Sequence, residues 1–247
     1  MNERQTWLVL GASSAIARAL ARETARRGAD VILAGRDNDD LQRTAADIRA
    51  AYDVGAGVQK FDTLDHEGHE SLAAALTELP GVLNIAFCAG IMPEQTDMDA
   101  DATLAARCMD TNLTGAIFAL QTLAPLLEKR RCGTIIGFGS VAGDRGRLKN
   151  YVYGASKSGL HTYLAGLRNR LGRVGVHVMT VKPGFVDTAM TFGLPGMFLV
   201  AQPESIAVAC LNAAAKRRDV IYTPWFWCII MTIICAIPER VFKKLSV

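Results

Sequence analysis

The feature that most restricts this chain is an alternation in its first ninety residues, where three short apolar runs are each followed by a helical pattern. Thr6–Leu10 (TWLVL), Val31–Ala34 (VILA) and Val58–Phe61 are strand-length and end at Gly11, Gly35 and Asp62. Between them, Ile16, Leu20 and Ala21 recur at helical spacing before a stop at Gly28, and Asn38–Tyr52 and Glu67–Leu79 are the next helices. Such a succession closes into right-handed βαβ units around a parallel sheet.

The pattern continues to the far end. Val82–Gly90 contains a strand, Asp99–Met109 a helix, and after Thr111–Gly115 a long apolar helix runs to about Lys129. Gly133–Phe138 and Val176–Val181 are strands flanking a helix over Tyr151–Arg173; Pro203 opens another helix, and Val220–Tyr222 suits an edge strand. The expected fold is α/β, a single-domain Rossmann-type doubly wound parallel sheet flanked by helices. It occupies residues 1–223, with 224–247 an apolar and basic extension of the same domain.

Half of the 247 residues are hydrophobic, enough for one large core, and the net charge of +3 comes from scattered Lys and Arg. Charge therefore gives nucleic-acid binding no support. The cysteines at 88, 108, 132, 210, 228 and 235 show neither CxxC nor metal-type spacing and read as free thiols of a reducing compartment, most of them buried. His66 and His69 lie in an acidic stretch and read as a solvated helix start, with no metal expected. MNERQTW carries no apolar core, so no signal peptide is expected and the protein is expected in the cytoplasm.

Two stretches carry chemistry. In the first strand-to-helix turn, Gly11, Ser13, Ser14 and Ile16 stand where a dinucleotide pyrophosphate meets a helix N-terminus, although Ala15 and Ala17 replace two glycines of the usual fingerprint. The serine hydroxyls are expected to compensate by donating to phosphate. Arg36, at the end of the second strand, suits the 2′-phosphate of NADP(H) over NAD(H), unless it pairs with Asp37 or Asp39. The second stretch runs from Ser140 to Lys157. Tyr153 and Lys157, four apart, share a helix face, so the ammonium is expected to pull the phenol below its usual value of about 10. Ser140 can hydrogen-bond an oxygen on which charge develops.

Gly11–Ala17, Cys88-Ala89-Gly90, Asn112–Gly115, Ser140, Tyr153–Lys157 and Pro183-Gly184 together resemble, in order, the short-chain dehydrogenase/reductases, over about residues 6–223. The resemblance implies hydride transfer between a nicotinamide and a carbonyl or alcohol. It implies that Tyr153 is the proton donor in reduction, Ser140 polarises the carbonyl, Lys157 tunes Tyr153 and binds the nicotinamide ribose, and Asn112 holds a relay water. It also places Asp62 and Thr63 near the adenine, Ala89 and Gly90 near the ribose, Pro183 and Gly184 beside the cofactor, and Val186 and Thr188 on the nicotinamide amide. Cys88 departs from the family's Asn at that position, which puts the local strand geometry in doubt.

Beyond Tyr222, Trp225–Ile237 is thirteen residues without charge, too short to span a membrane, followed by Arg240, Lys243 and Lys244 among Val241, Phe242 and Leu245. Trp225–Val247 fits a segment lying in a membrane interface or a helix buried in a homo-oligomer contact. The tail and the Ser140–Lys157 region are also similar to bacterial decaprenylphosphoryl keto-pentose 2-reductases, which implies a small-molecule or lipid-linked carbonyl substrate and a cytoplasmic position, peripheral at the membrane. Phe185–Val200, with Met190, Phe192, Leu194, Met197, Phe198 and Leu199, reads as an apolar substrate lid or a core-facing loop. Two other readings stay open: a soluble reductase of fatty-acyl or steroid-like ketones, and a cofactor-binding regulatory or scaffold protein.

Overall fold

A computed structural model of the chain describes residues 4–191 and 198–245. Seven strands form one parallel sheet in the order β3-β2-β1-β4-β5-β6-β7. They are β1 (Gln5–Leu10), β2 (Asp30–Gly35), β3 (Ala56–Lys60), β4 (Val82–Phe87), β5 (Thr134–Phe138), β6 (His177–Pro183) and β7 (Val220–Thr223). Strands covered on both faces read as continuous apolar runs, and β1 shows why. Leu8 and Leu10 face α3 (His66–Leu76), α6 (Gly115–Arg130) and α7 (Tyr151–Gly172). On the other face of β1, Val9 packs among α1 (Ala15–Arg26) and α2 (Asn38–Ala51), and Trp7 among α1 and α8 (Pro203–Ala215).

Strand order reverses direction at β1: β2 and β3 lie to one side, β4 and its successors to the other. The crevice over the carboxyl ends of β1 and β4 is the switch point at which open α/β sheets bind ligands. Cys88 does not disturb it, because its N–H continues the ladder to the Leu10 carbonyl at 2.9 Å.

Three sequence expectations are revised. The single helix over 99–109 is two, α4 (Gln95–Ala100) and α5 (Ala102–Met109), because Asp101 takes an extended backbone and its carboxylate caps the second by accepting from Thr103 N–H at 2.8 Å. Between α5 and α6 the chain does not leave helical form but widens into a π-type turn over Asp110–Thr114, an uncommon geometry frequent at functional sites. His69 is buried, not solvated: Nε2 meets the Asp62 carbonyl at 2.8 Å and the ring stacks on Phe61, while His66 stays exposed. Among the cysteines, Cys108 and Cys210 are buried, Cys88 and Cys132 half-buried, and Cys228 and Cys235 exposed.

The tail folds back on its own chain. α9 (Trp227–Ala236) and α10 (Glu239–Phe242) bury Trp227, Met231 and Phe242. Arg145 fastens them, donating to the carbonyls of Ile234 (2.5 Å) and Ile237 (2.7 Å) and to Glu239 (2.9 Å). Among the described residues, no helix is long and apolar enough to cross a membrane.

Candidate active site

Gly11 ends β1 with φ +78°, and a Cβ there would stand 2.6 Å from the Ala89 nitrogen, so only glycine lets the β1 and β4 termini approach. Ser14 caps α1: its Oγ accepts from Ala17 N–H at 3.3 Å, leaving its hydroxyl hydrogen free for an anion. Ala17 is fully buried, so a methyl is accommodated where the fingerprint has glycine. Arg36 is exposed at the end of β2; the alternative partner Asp37 instead accepts from Asp40 N–H at 3.0 Å as the cap of α2. Arg18, which the sequence reading passed over, reaches from α1 to Thr44 and Asp40, next to this corner.

Two cavities share Ser13, Ser14, Cys88 and Gly90 in their walls and so make one groove along the strand ends. The first, about 450 Å³, is lined by Gly11, Ser13, Ser14, Arg36, Asp62, Thr63, Ala89 and Gly90. The second, about 560 Å³, is lined by Ile16, Ser140, Tyr153, Lys157, Pro183, Gly184, Val186 and Thr188. Of the expected catalytic and cofactor-contact residues, Asn112 alone is absent from both walls. It is fully buried in the π-type turn, accepting from Ile91 N–H (2.7 Å) and donating to the Ile91 carbonyl (2.8 Å) and Ser156 Oγ (3.1 Å). It thus clamps the backbone next to Gly90, where an added Cβ would lie 3.3 Å from Lys157 Nζ.

Tyr153 and Lys157 are both buried on α7. Lys157 Nζ donates to the Phe138 carbonyl at 3.0 Å and lies 5.7 Å from the Tyr153 ring centroid. The phenol does not sit below its ordinary value: burial pushes it up to about 12, against the pull of the Ser140 hydroxyl and the Arg147 charge. Burial likewise brings Lys157 down to about 8. The expected lowering of Tyr153 by Lys157 is absent: desolvation is the largest influence on the phenol, and the opposing ones come from Ser140 and Arg147. The result is a protonated phenol at neutral pH, beside an amine that titrates close to it.

Ser140 is held from behind. His161 Nε2 accepts from Ser140 N–H at 3.3 Å, and the imidazole is walled by Gly139 and Gly143, where a Cβ would lie 2.2 and 2.7 Å from the ring. Asp144, 3.6 Å from His161 Nδ1, accepts from Lys182 Nζ at 2.6 Å and from Tyr222 O–H at 2.8 Å. Burial and the Lys182 charge hold the His161 pKa down at about 4, so it is neutral at pH 7.

Beyond Pro183, Gly184 is packed by Trp227 of the tail, whose ring also meets Phe185 and Phe198 at 5.6 and 5.5 Å between centroids. Of the expected lid, Met190 lines the cavity and Phe198 and Leu199 are exposed, while Phe192, Leu194 and Met197 lie outside the described residues. Among the described residues no group of His, Cys, Asp or Glu could hold a metal ion.

A parallel sheet with a glycine turn at its switch point and Ser, Tyr and Lys beside it defines a nucleotide-dependent oxidoreductase of the doubly wound class. The short chain dehydrogenase family model matches residues 5–195, and the chain belongs to that family. It is 33% identical over 239 residues to an uncharacterized oxidoreductase of Mycobacterium tuberculosis, covering 96% of each chain. It is 31% identical over 245 residues to one of Streptomyces coelicolor, covering 97% of this chain and 95% of the relative. Among solved structures, a short-chain dehydrogenase from Sphingobium yanoikuyae in complex with NADPH superposes with TM-score 0.81 at 24% identity, covering 95% of this chain and 97% of that one. Actinorhodin polyketide ketoreductase with NADPH gives TM-score 0.80 at 24% identity, over 91% and 97%.

Proposed function

We propose that the protein is an NADPH-dependent reductase of a ketone carried on a hydrophobic, lipid-linked substrate such as a polyprenyl-phosphate keto-sugar. The observation that carries this reading is the continuity of the groove from the Gly11 cradle and the exposed Arg36 to Ser140, Tyr153 and Lys157. Gly11, Ser13, Ser14 and Ile16 would receive the pyrophosphate, Arg36 the 2′-phosphate, Asp62 and Thr63 the adenine. Ala89, Gly90 and Lys157 would hold ribose, and Pro183, Gly184, Val186 and Thr188 the nicotinamide. Both NADPH-bound structural relatives accord with that choice of cofactor.

A reduced nicotinamide held by these residues would supply the hydride for the carbonyl carbon. Ser140 hydrogen-bonds the carbonyl oxygen as negative charge gathers on it. Tyr153 passes its phenolic proton to that oxygen, giving the alcohol, and is reprotonated through Lys157. Asn112 fixes the Gly90–Ile91 backbone against Lys157 and, through main-chain groups of the widened turn, would hold the water that feeds this relay. His161 positions Ser140.

Apolar walls from Phe138, Val141, Phe185, Val186 and Met190 favour a greasy substrate. The outward face of the tail, with Trp225, Ile229 and Ile233 exposed and Arg240, Lys243 and Lys244 following, suits a peripheral contact with the inner face of the membrane. A second copy of the chain on this face is the competing occupant.

The test is NADPH oxidation by the purified protein against lipid-linked keto-sugars, fatty-acyl ketones and steroid-like ketones. Turnover confined to the last two classes would refute the lipid-linked reading. Tyr153→Phe should cut turnover by at least about 100-fold with NADPH binding retained. A variant that keeps most of its activity would remove Tyr153 as the acid.

A further inference from the structure

The loop between Ser140 and Tyr153 carries two arginines with opposite fates. Arg145 is spent on the tail, its guanidinium satisfied by backbone carbonyls and Glu239. Arg147 points into the catalytic cavity, and its Nε is buried without a hydrogen-bond partner. Among the described residues no carboxylate stands within ion-pair distance of it. Asp144, the acid of this loop, is committed to Lys182 and Tyr222. Asn150 lines the same wall. It occupies the position before α7, where an asparagine ordinarily caps the helix, yet its side chain makes no capping bond and its Oδ1 is buried and unpartnered.

A guanidinium N–H is not left buried and unpaired without cost, and the planar fork to which this Nε belongs matches the oxygens of phosphate and carboxylate. Arg147 lines the same cavity as Ser140 and Tyr153, so a group it binds shares that cavity with the reacting carbonyl. It also belongs to the segment bearing Ser140 and Tyr153, not to the Gly11–Ile16 turn that would receive the cofactor pyrophosphate.

We propose that Arg147 forms an oxyanion subsite in the catalytic cavity, which takes a phosphate or carboxylate of the substrate, while the Asn150 Oδ1 is left to accept from a hydroxyl of the same ligand. This deepens the reductase reading and rests on it. The substrate is then an apolar molecule whose anionic group enters the same cavity as the reacting carbon.

The test separates binding from turnover. Affinities of farnesyl phosphate, farnesoate, inorganic phosphate and farnesol for the full chain are measured by calorimetry in the wild type, Arg147→Gln and Arg147→Lys. NADPH affinity serves as the control for folding. At least one anionic farnesyl ligand should bind the wild type and lose tenfold or more in Arg147→Gln, about 1.4 kcal/mol or more. Arg147→Lys should recover part of it, and farnesol should be unaffected. Inorganic phosphate binding as tightly as farnesyl phosphate, with the same dependence on Arg147, supports the subsite and assigns it to a small phosphorylated ligand. Farnesyl phosphate alone supports the lipid source. Absence of anion binding to the wild type, or anion affinities unchanged in Arg147→Gln while NADPH still binds, overturns the proposal. Arg147-dependent anion binding in a protein that oxidises NADPH with no ketone would instead sink the reductase reading and leave the subsite standing.

Discussion

Replacing Arg145 by methionine keeps the aliphatic stem and removes the charge, and so isolates what fastens the tail. The guanidinium bonds the carbonyls of Ile234 at 2.5 Å, Ile237 at 2.7 Å and Cys235 at 3.3 Å, and lies 3.7 Å from the Phe242 ring centroid. Its side chain is 14% exposed, whereas Glu239 is 76% exposed, so the ion pair between them adds little. Charge-assisted bonds of the buried kind contribute about 1.5–3 kcal/mol each, without simple additivity, and the ring contact about 1 kcal/mol. The expected loss is about 3–4 kcal/mol, borne by local opening of α9 and α10, since these helices bury only Trp227, Met231 and Phe242 and add to a cluster separate from the sheet's main cores. Hydrogen exchange of amides over 227–242 should accelerate by about 100-fold or more, with α6 and the central strands unchanged. Equal protection in the variant would refute the latch. Uniform acceleration through the whole sheet would show that the tail opens only with the domain.

Two further outcomes follow from the site. Arg36→Asp should weaken NADPH by about 100-fold or more, from a lost charge-assisted contact plus repulsion, while NADH changes less than about threefold; equal effects on both would sink the 2′-phosphate assignment. His161, neutral in the fold down to about pH 4, should make the protein acid-sensitive. The unfolded chain takes up that proton near pH 6.5 and the folded chain does not, so stability falls as pH drops from 6.5 to 4, by about 3 kcal/mol in all. His161→Gln should flatten this slope in urea unfolding at pH 7 and 5, and identical slopes would reject the account.

The sheet was legible because its strands are short, apolar and separated by helices of regular period. Tyr153 and Lys157 were legible because four-residue spacing survives any helix. The π-type turn at Asn112 was not, since nothing in Thr-Asn-Leu-Thr-Gly distinguishes a widened turn from a loop. Nor was the sign of the Tyr153 perturbation: spacing shows which charge is near, but burial, the larger effect, depends on the whole cavity. Nor were Arg147 and Asn150, because which side chains of the polar stretch between Ser140 and Tyr153 turn inward depends on the cavity they line. Trp227 was legible as an apolar residue, but its partner, forty-three positions earlier at Gly184, belongs to the tertiary structure.

That last contact has a thermodynamic consequence. A side chain at Gly184 would stand 1.8 Å from the Trp227 indole nitrogen, so the cavity wall and the tail are in direct register. A ligand that binds more tightly to the docked form must shift the tail toward docking. By reciprocity, anything that grips the outer face of α9 and favours docking raises affinity inside the cavity by the same factor. The outer face of the tail and the cavity then share one equilibrium, with a single indole as the hinge between them.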